Sequence, residues 1–133
     1  CLQLAFKMLL LAGKGELPAR RAIFCGCEGL PYESFVMCAK AWVCFLANVA
    51  PAQSARLYDL IVNQGKLEEA RALYRQILPL LRLTEETGEL WQIVKYILKQ
   101  RGFGTGTLRL PRQPISEGVK AQLDELLGKT DFA

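Results

Sequence analysis

The run WVCFLA, Trp42 to Ala47, is apolar at every position. Successive side chains of a strand point to opposite faces, so a strand of this kind needs cover on both sides. A parallel sheet flanked by helices supplies that cover, whereas an antiparallel sheet with one wet face would show alternation. The surrounding residues fit the same plan. RAIFC, Arg21 to Cys25, is an earlier β-leaning run, and GCEGLP is a turn that places Pro31 at the first position of a helix over Tyr32 to Lys40. NVAP closes the apolar run and opens another helix. An amphipathic segment, Leu2 to Leu11, precedes these and is broken by AGKGELP. The order helix, strand, helix, strand, helix predicts a parallel α/β arrangement with right-handed crossovers.

Beyond Pro51 the pattern is helical. Leu57, Tyr58 and Ile61 form one face, and NQG ends that helix with Gly65 at the left-handed cap position. Leu67, Ala70, Leu73, Tyr74, Ile77, Leu78 and Leu81 then recur at three- and four-residue steps, the spacing of an amphipathic helix. Pro79 inside that stripe predicts a kink. TEETGE interrupts, Leu90 to Leu98 form another stripe, RGFGTGTLRLPRQP reads as a loop, and Ser116 is placed to cap a last helix through Leu127.

With 133 residues the chain is long enough for one domain with a substantial core. Seventeen basic residues against thirteen acidic ones leave a charge of +4, spread along the chain, which does not point to nucleic acid. No apolar run reaches the ~18 residues of a membrane span. The complete absence of histidine removes Ser-His-Asp and Cys-His catalysis and the commonest zinc ligand. Five cysteines, an odd number without framework spacing, and no signal peptide argue against a secreted disulfide scaffold, and a reducing cytoplasm fits better. The first residue is Cys1, within an amphipathic run, and the chain reads as one whose natural beginning is missing.

Two motifs suggest chemistry. Cys25 and Cys27, with Cys38 and Cys44, offer four sulfurs, but structural zinc sites use pairs two to four residues apart on converging turns. Burial as small hydrophobes accounts for these cysteines better, and no Cys-x-x-Cys pair supports a redox switch. GFGTGT, Gly102 to Thr107, resembles a phosphate loop but lacks the Gly-Lys-Ser/Thr ending and follows a helix, so a turn is the plainer reading. Lys40 and Lys95 lie nearest apolar runs, where a snorkelling role competes with a Schiff-base role. Glu33 sits where a helix dipole favours an acid, while Glu28, in a strand-to-helix turn, is a site candidate.

Residues 22 to 127 resemble the C-terminal part of the dihydrodipicolinate synthase / N-acetylneuraminate lyase family. IFCGCE is similar to its seventh strand, which ends in a Ser-Gly-Asp-Asp/Glu turn. GLPYESFVMCAKAWVCFLANVAP is similar to the following helix and eighth strand, with Gly-Ala-x-Gly-x-Ile-Ser and then Asn-x-x-Pro. GKLEEARALYRQILPLLRL, VKYILKQRGFGTGTLRLP and PISEGVKAQLDELL resemble its C-terminal helices. Cys38 and Ala41 replace common glycines of the family, and Cys27 a common aspartate.

The resemblance implies the C-terminal portion of a (β/α)8 TIM barrel, about two of its strands, with a helical extension, in a chain that is mostly helical. Residues 1–64 would hold the last βα units, with strands near 22–25 and 42–46, and 65–133 the extension. It implies class I aldolase-type chemistry, a Schiff base between a sixth-strand lysine and pyruvate or another 2-oxo acid. That lysine lies outside this chain, which is expected to be inactive alone and to need no other cofactor. Gly26, Cys27, Glu28, Val43 and Cys44 would form pocket wall, and the whole enzyme would be a tetramer. A non-catalytic, mostly helical interaction module is the alternative reading.

Overall fold

The structure, a computed structural model, describes residues 22–129. The helix expected over Leu2 to Leu11, together with Cys1 and Lys7, lies outside the described residues. Chain order is β1 (Phe24–Cys25), α1 (Pro31–Val36), β2 (Ala41–Trp42), a short 3-10 turn (Leu46–Asn48), α2 (Pro51–Tyr58), α3 (Leu67–Thr87), α4 (Leu90–Gln100) and α5 (Glu117–Lys129). The two strands pair in parallel, with α1 as the connection, as the doubly apolar run predicted.

The second strand is shorter than WVCFLA suggests. Its ladder covers Ala41 and Trp42, and Val43 still donates to the Cys25 carbonyl at 2.8 Å. The chain then turns away because the Phe45 N–H is taken by the Glu28 carboxyl and no longer by a strand. The first helix is also shorter than expected, ending at Val36, after which Cys38 takes a left-handed conformation with φ 71°. Proline starts both α1 and α2, where its missing N–H costs nothing.

Helix α3 organises the rest and touches α1, α2, α4 and α5. Its stripe of Ala70, Tyr74, Ile77, Leu80, Leu81 and Thr84 is buried. Each fully buried Leu or Ile of that stripe contributes roughly 1.5–3 kcal/mol by removal from water. Pro79 does not end the helix. It lies on the exposed side of the helix, as does Arg75 one turn earlier, whose carbonyl a proline at this position cannot bond. The helix runs through the first part of TEETGE and stops at Gly88, whose φ of 68° needs no Cβ. Gly65, at φ 66°, does the same between α2 and α3. At the N-terminus of α5 the Val119 N–H reaches Ser116 Oγ at 3.4 Å, the cap that the sequence predicts.

Candidate functional site

The C-terminal ends of the two strands lie side by side, with Phe24 opposite Ala41 and Cys25 opposite Trp42. Alternation then sorts the residues onto two faces. Cys25, Trp42 and Cys44 share the packed face. The Cys25 thiol is buried and donates to the carbonyl oxygens of Cys27 at 3.2 Å and Leu30 at 3.7 Å, and that of Cys44 meets Ser54 Oγ at 3.6 Å. Phe24, Ala41 and Val43 share the other face, which is open: Phe24 is 58% and Val43 67% exposed. Of the predicted wall residues, Val43 therefore stands on the open face and Cys44 turns toward α2. Gly26 sits on the exposed loop with open space where a Cβ would be.

Cys27 and Glu28 occupy the loop beyond β1. Glu28 is only 8% exposed, and its side chain folds inward to accept the Phe45 N–H on Oε1 at 3.1 Å. Its second oxygen, Oε2, is buried with no hydrogen-bond partner among the described residues. Burial pushes the Glu28 pKa up from 4.5 to about 7. The Phe45 amide opposes that rise and the neighbouring Glu85 carboxylate adds to it. This carboxyl is thus a clamp between the ends of the two strands, and it holds a proton far more readily than a solvated glutamate does.

Glu85 arrives from the last turn of α3. Its Oε1 accepts the Glu28 N–H at 2.7 Å and the Cys27 thiol at 3.1 Å. Burial, then the hydrogen bond to Glu85 and its charge, push the Cys27 thiol up to about 11. Burial likewise raises Cys44 to about 11. Both are protonated at neutral pH, so they act as donors and packing groups and are poor nucleophiles. The four described cysteines are free: Cys25 and Cys44 face the core, Cys27 faces Glu85, and Cys38 is exposed. Among the described residues no group of three His, Cys, Asp or Glu converges on a metal-sized space.

Tyr74 of α3 anchors the same loop from below. Its hydroxyl lies in hydrogen-bond range of the Gly29 carbonyl and of Glu33 Oε2, the latter at 3.1 Å, and its ring stacks on Tyr32 at 5.4 Å. Glu85 and Tyr74 are the two loop-holding residues that sequence reasoning missed. Tyr74 was visible only as one position of a stripe. Glu85 was visible only as part of a helix-ending run, and nothing in its neighbourhood announces a partner fifty-seven residues upstream.

Neither candidate lysine stands at the strand ends. Lys40 immediately precedes β2, at its N-terminal end, while Lys95 on α4 donates to the carbonyl oxygens of Thr105 and Thr107. Among the described residues the strand ends therefore offer an apolar face, two protonated thiols and one buried carboxyl. Such a set contains no amine to attack a carbonyl carbon.

A parallel strand pair with a helical crossover, an open apolar face and a helical extension defines a piece of a parallel α/β barrel. The chain belongs to the dihydrodipicolinate synthetase family, whose model matches residues 10–130. It is 42% identical over 86 residues to a 4-hydroxy-tetrahydrodipicolinate synthase of Chlorobium luteolum, covering 62% of this chain and 28% of that protein. It is 33% identical over 111 residues to one of Exiguobacterium, covering 81% of this chain and 36% of the relative. A crystal structure from Pseudomonas aeruginosa, assigned as a dihydrodipicolinate synthetase, superposes with a TM-score of 0.80 at 35% identity and covers 92% of this chain and 41% of that one. The chain thus spans about a third of the length of the curated relatives it matches. No helix among the described residues is long and apolar enough to cross a membrane.

Proposed function

We propose that this chain supplies the seventh and eighth strands and the helical extension of a (β/α)8 barrel that carries out Schiff-base lyase or synthase chemistry on pyruvate or a related 2-oxo acid. Residues up to 64 belong to the last βα units, and those from 65 onward to the extension. Gly26, Cys27, Glu28, Val43 and Cys44 contribute to the rim and wall of the pocket, at the strand ends where barrel enzymes keep their sites. The reactive lysine comes from the preceding part of the barrel, and the chain by itself is inactive. In the complete enzyme the assembly is a homo-oligomer, and the working compartment is the cytoplasm.

The observation that carries this reading is the bare face of Phe24 and Val43. Two strands cannot close a barrel, and apolar side chains on a strand stay exposed when the strands that should cover them are elsewhere. The family match over residues 10–130 favours this over a stand-alone helical interaction module.

Borohydride trapping tests it. The chain is treated with pyruvate and sodium borohydride, alone and preceded by the remainder of the barrel, and digested for mass spectrometry. The expected result is no adduct on any lysine of the chain alone and one on an upstream lysine of the longer protein. An adduct on Lys40 or Lys95 would overturn the assignment of roles, and no adduct in either form would sink the Schiff-base chemistry.

A further inference from the structure

We propose that the cleft between α4 and the 101–116 loop binds a small organic anion, with Lys99 and Arg112 holding the acidic head and Leu108, Leu110 and Ile115 the apolar body. The cleft has a volume of about 360 Å³, inside the range of small-molecule sites, and shares no residue with the strand-end wall.

Charge is the first argument. Lys95, Lys99 and Arg112 all line the cleft, and among the described residues no Asp or Glu does. On the outer helix faces several cations are paired, Arg56 with Asp59 and Glu69, Lys66 with Glu69, Arg71 with Glu68, Lys120 with Glu117, and Lys129 with Glu125, while Arg75 and Arg82 stand singly on α3. None of the three cleft cations has a carboxylate partner among the described residues. Asp124, bonded to the cleft residue Tyr96 at 2.8 Å, is occupied by that hydroxyl and leaves the tyrosine to offer its ring.

The backbone is the second, independent argument. Lys95 donates to the carbonyls of Thr105 and Thr107, so the loop's negative dipole ends are turned to an ammonium group. The amide N–H groups of Thr105, Gly106, Thr107 and Leu108 donate to nothing among the described residues. Gly106 has a φ of 61°, and left-handed residues occur in the turns that gather backbone donors around an anion. The GFGTGT loop is thus no nucleotide-type phosphate loop, since its lysine holds the loop itself. Its free amides and the unpaired Lys99 and Arg112 nevertheless favour a negative head group. The remaining wall of Leu108, Pro114 and Ile115, with Leu110 84% exposed at the rim, favours an apolar body behind that head.

The test is an NMR titration of the chain with phenyl phosphate, benzoate, benzyl alcohol and inorganic phosphate. Phenyl phosphate or benzoate should shift the amides of Thr105 to Leu108 saturably, and the tighter of the two names the head group. Benzyl alcohol and inorganic phosphate should bind at least about tenfold more weakly, as expected when a charge-assisted bond or an apolar contact is lost. The double variant K99Q/R112Q should weaken the organic anion by about tenfold or more, and L110A by a few-fold. Lys99, Leu110 and Arg112 are all exposed, so amide dispersion outside the cleft should be unchanged. No saturable shift, equal binding of inorganic phosphate (an adventitious ion only), or full affinity in K99Q/R112Q would each overturn the proposal. Borohydride trapping is indifferent to all three outcomes, so the two readings fail separately.

Discussion

Leu81 on α3 and Val43 just beyond β2 are both aliphatic, yet the first has no exposed surface and the second keeps 67% of its own. The difference runs through the whole molecule. From Pro51 onward, Ile77, Leu80, Leu81, Ile93, Ile97 and Leu123 enclose one another, and each is at most 2% exposed. Between Ala22 and Ala50 the side of the sheet facing α1 and α2 is packed, while Phe24 and Val43 meet water. The helical part encloses its own core, and the strand part leaves one apolar face open. Where an element is amphipathic about one axis, its partners within the described residues suffice. Where it is apolar on both faces, one face stays uncovered among them.

The sharpest way to break this contrast is a pair of alanine substitutions. Leu81→Ala should cost about 2–5 kcal/mol, because a filled site becomes a cavity. Val43→Ala in this chain should change stability by no more than about 0.5 kcal/mol. Urea unfolding of both variants checks it. Comparable losses would mean that the strand face is covered in solution, by self-association or by residues not described.

The two regions are held together by a few polar contacts at the 27–30 loop, and within that loop the Glu28 carboxyl, bonded to Phe45 of the strand region itself, is sensitive to pH. Its folded pKa is about 7 against 4.5 in a solvated glutamate, so the folded chain binds the proton more tightly than the unfolded one. Stability should therefore fall as pH rises from about 4.5 to about 7 and level off above. The loss is at most on the order of 3 kcal/mol. Glu28→Gln keeps an oxygen for the Phe45 amide and should flatten the profile. Urea midpoints followed across that window decide the matter, and an unchanged slope in the variant would assign the effect elsewhere.

Tyr74→Phe tests the tie from the other side. The ring and its stacking on Tyr32 remain, but the Gly29 carbonyl loses its donor, which should cost about 1 kcal/mol. Hydrogen exchange should rise at Cys27 to Leu30 and stay unchanged in α4. Uniform acceleration across the chain would show that the hydroxyl supports the helical core itself.

How far the sequence reaches follows the same division. The helices of the second half were legible because Leu67, Tyr74, Ile77 and Leu81 repeat at the helical period, and because Gly65 stops the chain where a left-handed residue is needed, whereas the continuation of α3 through Thr84 to Thr87 was not. The parallel pair was legible from a run apolar on both faces. The length of β2 was not, because Glu28 withdraws the Phe45 amide from the ladder, and a contact between residues seventeen apart has no periodicity. The candidate wall residues come from resemblance to strand-end turns. Their division between an open and a packed face depends on register, which composition does not reveal. Glu85 escaped for the same reason as β2's end: a single long-range carboxylate leaves no pattern.

Cys38 offers the smallest effect and isolates a purely local feature of the strand region. It is exposed and sits at φ 71°, where a side chain crowds its own carbonyl at a cost of roughly 1–2 kcal/mol. Cys38→Gly removes the crowding but enlarges the freedom of the unfolded chain, which takes back roughly 0.4–1 kcal/mol. The net expectation is a gain of about 0.5 kcal/mol, seen as a higher urea midpoint with an unchanged slope. Cys38→Ala should give no such gain, since its Cβ meets the same carbonyl. A gain from alanine equal to that from glycine would trace the effect to the thiol and not to the backbone, and the turn after α1 would then carry no strain for glycine to relieve.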